Sequence, residues 1–199
     1  MALDIHKASA RRTARYSLTP VEITRDIVNS NFYKDPLQLL GEKSFGSPSE
    51  VPEDEVGTPM QEFYRGKTVF LTGGTGFMGK TLMEKILRSC PHIKHIYLLV
   101  RPKRGKEIQE RVEAIFNDRM FWRLRTEVPS YRSKVSAVAG DCSLPGLGLN
   151  EADRELLVKS VNVVFHGAAT VRFDEHIKMA VKINVCGVQA IIQLAKEMR

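Results

Sequence analysis

Four short apolar runs, each feeding a turn and then a stretch with helical spacing, organise this chain from residue 67 onward. Val69-Phe70-Leu71 leads without a break into Thr72-Gly73-Gly74-Thr75-Gly76-Phe77-Met78-Gly79, after which Met78, Leu82, Met83, Ile86 and Leu87 recur at helical spacing. Further runs lie at Ile96 to Val100, Lys134 to Ala139 and Val161 to Phe165. Such unbroken runs, without polar alternation, are those of strands buried on both faces of a parallel sheet. Between them, Ile108, Val112, Ile115 and Phe116 mark a charged amphipathic helix over residues 106–125, with Phe121 and Trp122 read as packing residues. Beyond the fourth run, Ile177, Ala180, Val181, Asn184, Val188, Ile191 and Ala195 fall on one helical stripe, which puts Asn184 on the buried side. Strand and helix alternation predicts an α/β fold: a Rossmann-type doubly wound parallel sheet, strand order 3-2-1-4, incomplete on the side of strand four.

Residues 1–60 are patterned differently and are expected to be a flexible tail and linker, with the strand–helix units confined to residues 61–199. Arg11, Arg12 and Arg15 make a basic start, Glu22 to Asn29 has the spacing of a short helix, and Gly41 to Met60 carries Pro48, Pro52 and Pro59 among acids. The chain has 199 residues and a formal charge of +7. Its 30 Lys and Arg are scattered among 23 acids, so an anionic cofactor and substrate explain the excess without a nucleic-acid partner. Cys90, Cys142 and Cys186 lack paired-ligand spacing, which predicts neither metal site nor disulfides but reduced thiols, mostly buried. No apolar run reaches membrane-spanning length, and the start lacks the apolar core of a secretory signal, so the chain is expected to face the cytosol.

The glycine spacing Gly73-x-x-Gly76-x-x-Gly79 answers the steric demands of a phosphate site at a helix start. Gly73 permits the turn out of the strand, Gly76 lets backbone approach a pyrophosphate, and Gly79 lets helix and sheet pack closely. Strand two ends in Arg101-Pro102-Lys103-Arg104, where an NAD enzyme would place an acid for the ribose 2′-hydroxyl; arginine there suits the 2′-phosphate, so NADPH is the expected cofactor. Asp141, in Gly140-Asp141-Cys142 at the end of strand three, is placed either to accept from the adenine amino group or to cap its loop. In His166-Gly167-Ala168-Ala169-Thr170, the small Ala168 and Ala169 let the chain pass close under a nicotinamide ribose, and His166 reads as structural rather than as an acid or base. Asn184 has two readings, a bridge between backbone segments or the holder of a water in a proton relay.

FYRGKTVFLTGGTGFMGKTLMEKILRSCP, IYLLVRPKRG, ERVEAIF, AGDCSLPGLGL and VVFHGAATVRFDE together resemble the fatty acyl-CoA reductases, insect-type members above all, within the extended short-chain dehydrogenases/reductases. The resemblance runs from about Tyr64 to Arg199. It implies NADPH-dependent reduction of a long-chain acyl-CoA to a primary alcohol through a bound aldehyde. It further implies that Thr72, Gly73, Gly76, Phe77, Met78 and Gly79 wrap the pyrophosphate, that Arg101 holds the 2′-phosphate, and that Asp141 and Cys142 border the adenine. Ala168 and Ala169 would border the nicotinamide ribose, and Asn184 would be the supporting asparagine of the relay. For the full-length protein it implies association with the peroxisomal or endoplasmic reticulum membrane through a region not in this chain.

One departure is large: the family resembles other short-chain reductases in using a Tyr-x-x-x-Lys pair, yet Tyr16, Tyr33, Tyr64, Tyr97 and Tyr131 are followed four places on by Pro, Leu, Thr, Arg and Val. The resemblance places that pair beyond Arg199, which implies that residues 61–199 are the N-terminal part of an NADP-binding Rossmann domain and leaves no catalytic residue here and an expectation that the isolated chain does not turn over. Two rival readings share the glycine turn: another extended reductase or epimerase, which would more often end strand two in an acid, and a non-catalytic NADP-binding regulator, which needs no tyrosine.

Overall fold

The computed structural model describes residues 56–103, 105 and 107–198. The expected tail, the helix over Glu22 to Asn29, the linker as far as Glu55, and Arg104 lie outside these residues. Pro59 and Met60, assigned to the linker from their proline-rich surroundings, instead open helix α1, Pro59–Tyr64. Thr58 caps it: its hydroxyl accepts from the Gln61 N–H, and the Gln61 side chain accepts from the Thr58 N–H at 2.8 Å. This reciprocal box satisfies two orphan donors, and proline costs nothing where a helix needs no N–H.

Four parallel strands, β1 Thr68–Thr72, β2 His95–Val100, β3 Val135–Ala139 and β4 Val163–His166, form one sheet in the order β3-β2-β1-β4. All five residues of β1 are buried: Val69, Phe70 and Leu71 as their apolar run requires, and the polar Thr68 and Thr72 at its two ends with them. Successive side chains point to opposite faces: Val69 and Leu71 join a core with α2 (Phe77–Ser89) and α3 (Ile108–Phe116), whereas Phe70 joins a second core with α5 (Glu151–Ser160) and α6 (Ile177–Glu197). Both faces are therefore covered and the sheet is doubly wound. The chain runs outward from β1 through β2 to β3 and then returns to β1's other side as β4. That reversal puts the crevice of the sheet between the ends of β1 and β4. Thr72 pairs with His166 there, so the glycine turn and the loop after His166 leave the sheet side by side.

Four expectations are corrected. The helix predicted over residues 106–125 is two helices, α3 and α4 (Trp122–Glu127), separated by a short 3₁₀ turn Arg119–Phe121. Asp118 causes the break: its carboxylate caps the Met120 N–H at 3.1 Å and receives the Lys80 ammonium at 2.6 Å, holding the new turn against α2. Phe121 is buried edge-on against Phe116 at 5.2 Å, but Trp122 is exposed instead of packed. The stripe assigned to the core side of α6 holds at Ile191, which is buried, but Ile177, Val181, Asn184 and Val188 are exposed, and the other buried residues are Gly187 and Leu194. A π-helical turn over Lys182–Cys186 rotates the helix out of its 3.6 phase, and Gly187 lets it dock where a Cβ would lie 2.9 Å from the Cys142 carbonyl. Finally, α6 has 21 residues and contains an 18-residue window of mean hydropathy 1.3, so by length and composition one helix among the described residues could cross a membrane, contrary to the expectation. Here it lies on the sheet through Ile191 and Leu194, beside Leu157.

Candidate functional site

Thr72 ends β1 fully buried, and Gly73 takes φ +75°, a left-handed backbone that glycine adopts without strain. The Gly76 N–H closes the turn on the Gly73 carbonyl at 3.0 Å, and Gly76 becomes the N-cap of α2. No side chain caps α2 and its first turn contains no acid, so its unpaired N–H groups and positive dipole end are open to an external anion. The turn is packed backbone to backbone. A Cβ on Gly73 would meet the Gly167 carbonyl at 2.5 Å, and one on Gly79 would meet the Gly73 carbonyl at 2.3 Å.

In front of the turn, at the carboxyl ends of the strands, opens a cleft of about 500 Å³. Gly73, Gly76, Arg101, Asp141, Cys142, Ala168 and Ala169, singled out from sequence, all line it. Thr72, Phe77, Met78 and Gly79 do not: Thr72 lies behind the wall, Gly79 packs under Gly73, and the side chains of Phe77 and Met78 project into solvent. Arg111, Arg172 and Glu175 also line the cleft and were not singled out. Arg111 is the fourth residue of α3, and one guanidinium N–H donates to the Arg101 carbonyl. The available signal was positional, since a helix leaving β2 begins at the same sheet edge that β2 reaches. Another cleft, of about 400 Å³ lined by Arg65, His92 and Lys134, lies away from this turn beside the starts of β2 and β3. Ligands of open α/β sheets collect at the carboxyl ends, which favours the first cleft.

The side chains behind the wall explain its shape. Asp141 accepts from the Ser143 N–H at 2.8 Å, capping its own loop, while its other oxygen stands 3.9 Å from Arg101 Nε, too far for a hydrogen bond. Arg101 is thus left largely exposed to the cleft. The Thr72 hydroxyl lies 2.7 Å from His166 Nδ1 and accepts from the Ala168 N–H at 3.2 Å. Burial pulls the His166 pKa down, and its Nε2 is buried without a hydrogen-bond partner. Asn184 is exposed, not buried, yet its amide clamps one residue: Oδ1 accepts from the Thr170 N–H and Nδ2 donates to the Thr170 carbonyl, both at 2.9 Å. Of its two readings, the backbone bridge is the one these contacts make.

Cys90 and Cys142 are buried and Cys186 is exposed. Burial pushes both buried thiols up, helped at Cys142 by the Asp141 carboxylate, so neither forms a reactive thiolate readily. Iodoacetamide should therefore label Cys186 first, with Cys90 and Cys142 modified only on unfolding, as read by peptide mass spectrometry. Labelling of Cys142 at the rate of Cys186 in folded protein would mean an open loop there.

The sequence model of an NAD-binding family described as male sterility protein matches residues 71–199. Among curated proteins, fatty acyl-CoA reductase wat of Drosophila melanogaster is 53% identical over 140 residues, which is 70% of this chain and 27% of that protein. Fatty acyl-CoA reductase 1 of Mus musculus is 49% identical over 138 residues, 69% of this chain and 27% of that protein. The chain thus spans about a quarter of the length of these curated relatives. Among solved structures, the terminal R domain of the myxalamid PKS-NRPS biosynthetic pathway aligns with a TM-score of 0.56 and 29% identity, covering 68% of this chain and 33% of that one. The reductase domain of a non-ribosomal peptide synthetase from Mycobacterium tuberculosis aligns with a TM-score of 0.53 and 29% identity, over 65% of this chain and 30% of that one.

Proposed function

The chain belongs to the male sterility protein family of NAD-binding oxidoreductases, whose curated relatives are fatty acyl-CoA reductases, and we propose that it is the cofactor-binding part of an NADPH-dependent reductase of long-chain acyl-CoA. The product is the primary fatty alcohol. The observation that carries this reading is the pair of guanidinium groups, Arg101 and Arg111, on the cleft wall at the end of β2, where an NADH site would want an acid.

In this reading the unpaired N–H groups of the first turn of α2, those of Phe77, Met78 and Gly79, hold the pyrophosphate at the helix mouth, Gly73 and Gly76 shape the turn that lets it approach, and Thr72 supports the turn from behind. Arg101 and Arg111 hold the 2′-phosphate with charge-assisted hydrogen bonds. Asp141, already fixed by the Ser143 N–H, borders the adenine with Cys142. Ala168 and Ala169 lie under the nicotinamide ribose, and Asn184 keeps their loop in place through Thr170. When bound, the reduced nicotinamide supplies one hydride to the thioester carbonyl as coenzyme A leaves and, from a second NADPH, another to the aldehyde. None of the five tyrosines has a lysine four places on, so the chain's own residues bind and orient.

Fluorescence titration should show NADPH binding at least about tenfold tighter than NADH, the value of one net charge-assisted contact. With long-chain acyl-CoA and NADPH the 199-residue chain should form no alcohol. Joined to the part of mouse fatty acyl-CoA reductase 1 that follows the matched segment, it should. Equal affinity for the two nucleotides would overturn the cofactor assignment, and an inactive but folded fusion that binds NADPH would overturn the reductase assignment.

A further inference from the structure

The cleft is built from two loops that touch through backbone, and a single hydroxyl ties them. Gly73 on one loop has no space for a Cβ against Gly167 and Ala168 on the other. Across this seam the Gly167 N–H donates to the Thr72 carbonyl at 3.2 Å, and the Ala168 N–H donates to the Thr72 hydroxyl, also at 3.2 Å. The far end of the second loop is held by Asn184 at Thr170. A dinucleotide that spans pyrophosphate and nicotinamide sites needs both loops at a fixed separation, because its own bridge has a fixed length.

A threonine hydroxyl has two acceptor lone pairs and one hydrogen. With one lone pair taken by the Ala168 N–H, its orientation depends on where that hydrogen goes. The acceptor at hydrogen-bond distance is His166 Nδ1, 2.7 Å away, presented by the parallel register that pairs Thr72 with His166. We infer that His166 is a positioning residue for the nucleotide cleft: by accepting at Nδ1 it turns the Thr72 hydroxyl so that its oxygen faces the Ala168 N–H, and so sets the gap between the glycine turn and the Ala168-Ala169 loop. The proton of the imidazole then sits on Nε2, the buried atom without a partner. His166 is not among the residues lining the cleft, which separates this role from substrate contact or proton transfer.

This assignment rests on the proposed cofactor site, and three substitutions test it. H166N keeps an acceptor oxygen on the atom that bears Nδ1, H166Q moves the amide to the Nε2 side, and H166L removes the acceptor. NADPH affinity, measured by titration, should fall roughly five- to tenfold in H166L and H166Q, the worth of one neutral hydrogen bond, and stay within about twofold in H166N. T72V should bind no more weakly when combined with H166L than alone, because the two act through one contact. A residue that served only to fill space would lose as much in H166N as in H166L. Equal losses in the two, or none in H166L, overturn the assignment while leaving the cofactor site standing; an unsubstituted chain that binds no NADPH overturns both. Should H166L fail to fold, long-range ¹⁵N–¹H spectra of the unsubstituted chain, with the His166 signals identified by their absence in H166N, decide alone. The Nε2–H tautomer is expected, and the Nδ1–H tautomer would overturn the inference.

Discussion

Replacing Arg101 and Arg111 together by alanine should weaken NADPH binding about a hundredfold or more and leave NADH binding within about threefold. Each guanidinium can donate two hydrogen bonds to a phosphate, and charge-assisted bonds contribute a net ~1.5–3 kcal/mol each, so losing both outweighs any relief of like-charge repulsion between them. The single variants should not add. Arg111 donates to the Arg101 carbonyl, so R111A removes a charge and also loosens the loop that carries the other one. R101A removes the cation that stands 3.9 Å from Asp141 Oδ2, so the carboxylate's charge is no longer offset by Arg101 and repels a 2′-phosphate. R101A alone should therefore narrow the preference, by losing NADPH and holding NADH. Calorimetric titration at two ionic strengths is the measurement: the Arg-dependent part of NADPH affinity should shrink as salt rises, since Arg101 is largely exposed and screened. A loss of the same size for both nucleotides would mean that the pair supports the loop or the pyrophosphate and has no part in telling the two apart.

What the sequence made legible follows from which constraints are local. Strands buried on both faces are apolar along their middles without polar alternation, so β1 and β2 stood out as unbroken runs, and the glycine triplet stood out because its demands are made on the backbone itself. Strand order follows once the glycine turn after β1 marks a dinucleotide-binding unit, whose doubly wound order is 3-2-1-4. The errors arose where a distant contact decided a local conformation. Apolar spacing continues from Ile108 through Phe116 to Phe121 and Leu124, so nothing in the periodicity announces that Asp118 leaves the helix to meet Lys80. A π-helical turn is invisible to a search at 3.6 residues per turn, which is why the face of α6 was read from Ile177 and Val188 when Gly187 was the residue to find. Arg111 resembled any charge on a polar helix face until β2 fixed where α3 begins. The contact of Thr72 with His166 joins residues 94 apart and exists because the register of β1 and β4 sets their last residues opposite each other.

Gly79→Ala pits two known effects against each other. Alanine is the better helix former by about 1 kcal/mol, and Gly79 is the third residue of α2, so propensity alone predicts a gain. Against it, the new Cβ would lie 2.3 Å from the Gly73 carbonyl oxygen and 2.8 Å from both the Gly73 carbonyl carbon and Gly74 Cα, all backbone atoms that no rotamer change can move. Nor can the turn retreat, because Gly73 is already in contact with Gly167 and Ala168 on its far side. Overpacking of this kind costs about 1–3 kcal/mol or more, so the clash wins; G79A should be destabilised by about 2 kcal/mol in urea unfolding and should lose NADPH binding as the turn is displaced. Gly76→Ala separates the two roles of the motif. Its Cβ would have one near neighbour, the Gly73 carbonyl at 3.3 Å, and its φ of −85° suits any residue. G76A should therefore fold with wild-type stability within about 1 kcal/mol, yet bind NADPH at least about tenfold more weakly, because its methyl group occupies the space the pyrophosphate needs. If G76A folds and binds NADPH as tightly as the unsubstituted chain, the dinucleotide does not lie against this turn, and the assignments of Arg101, Arg111 and His166 lose their common ground.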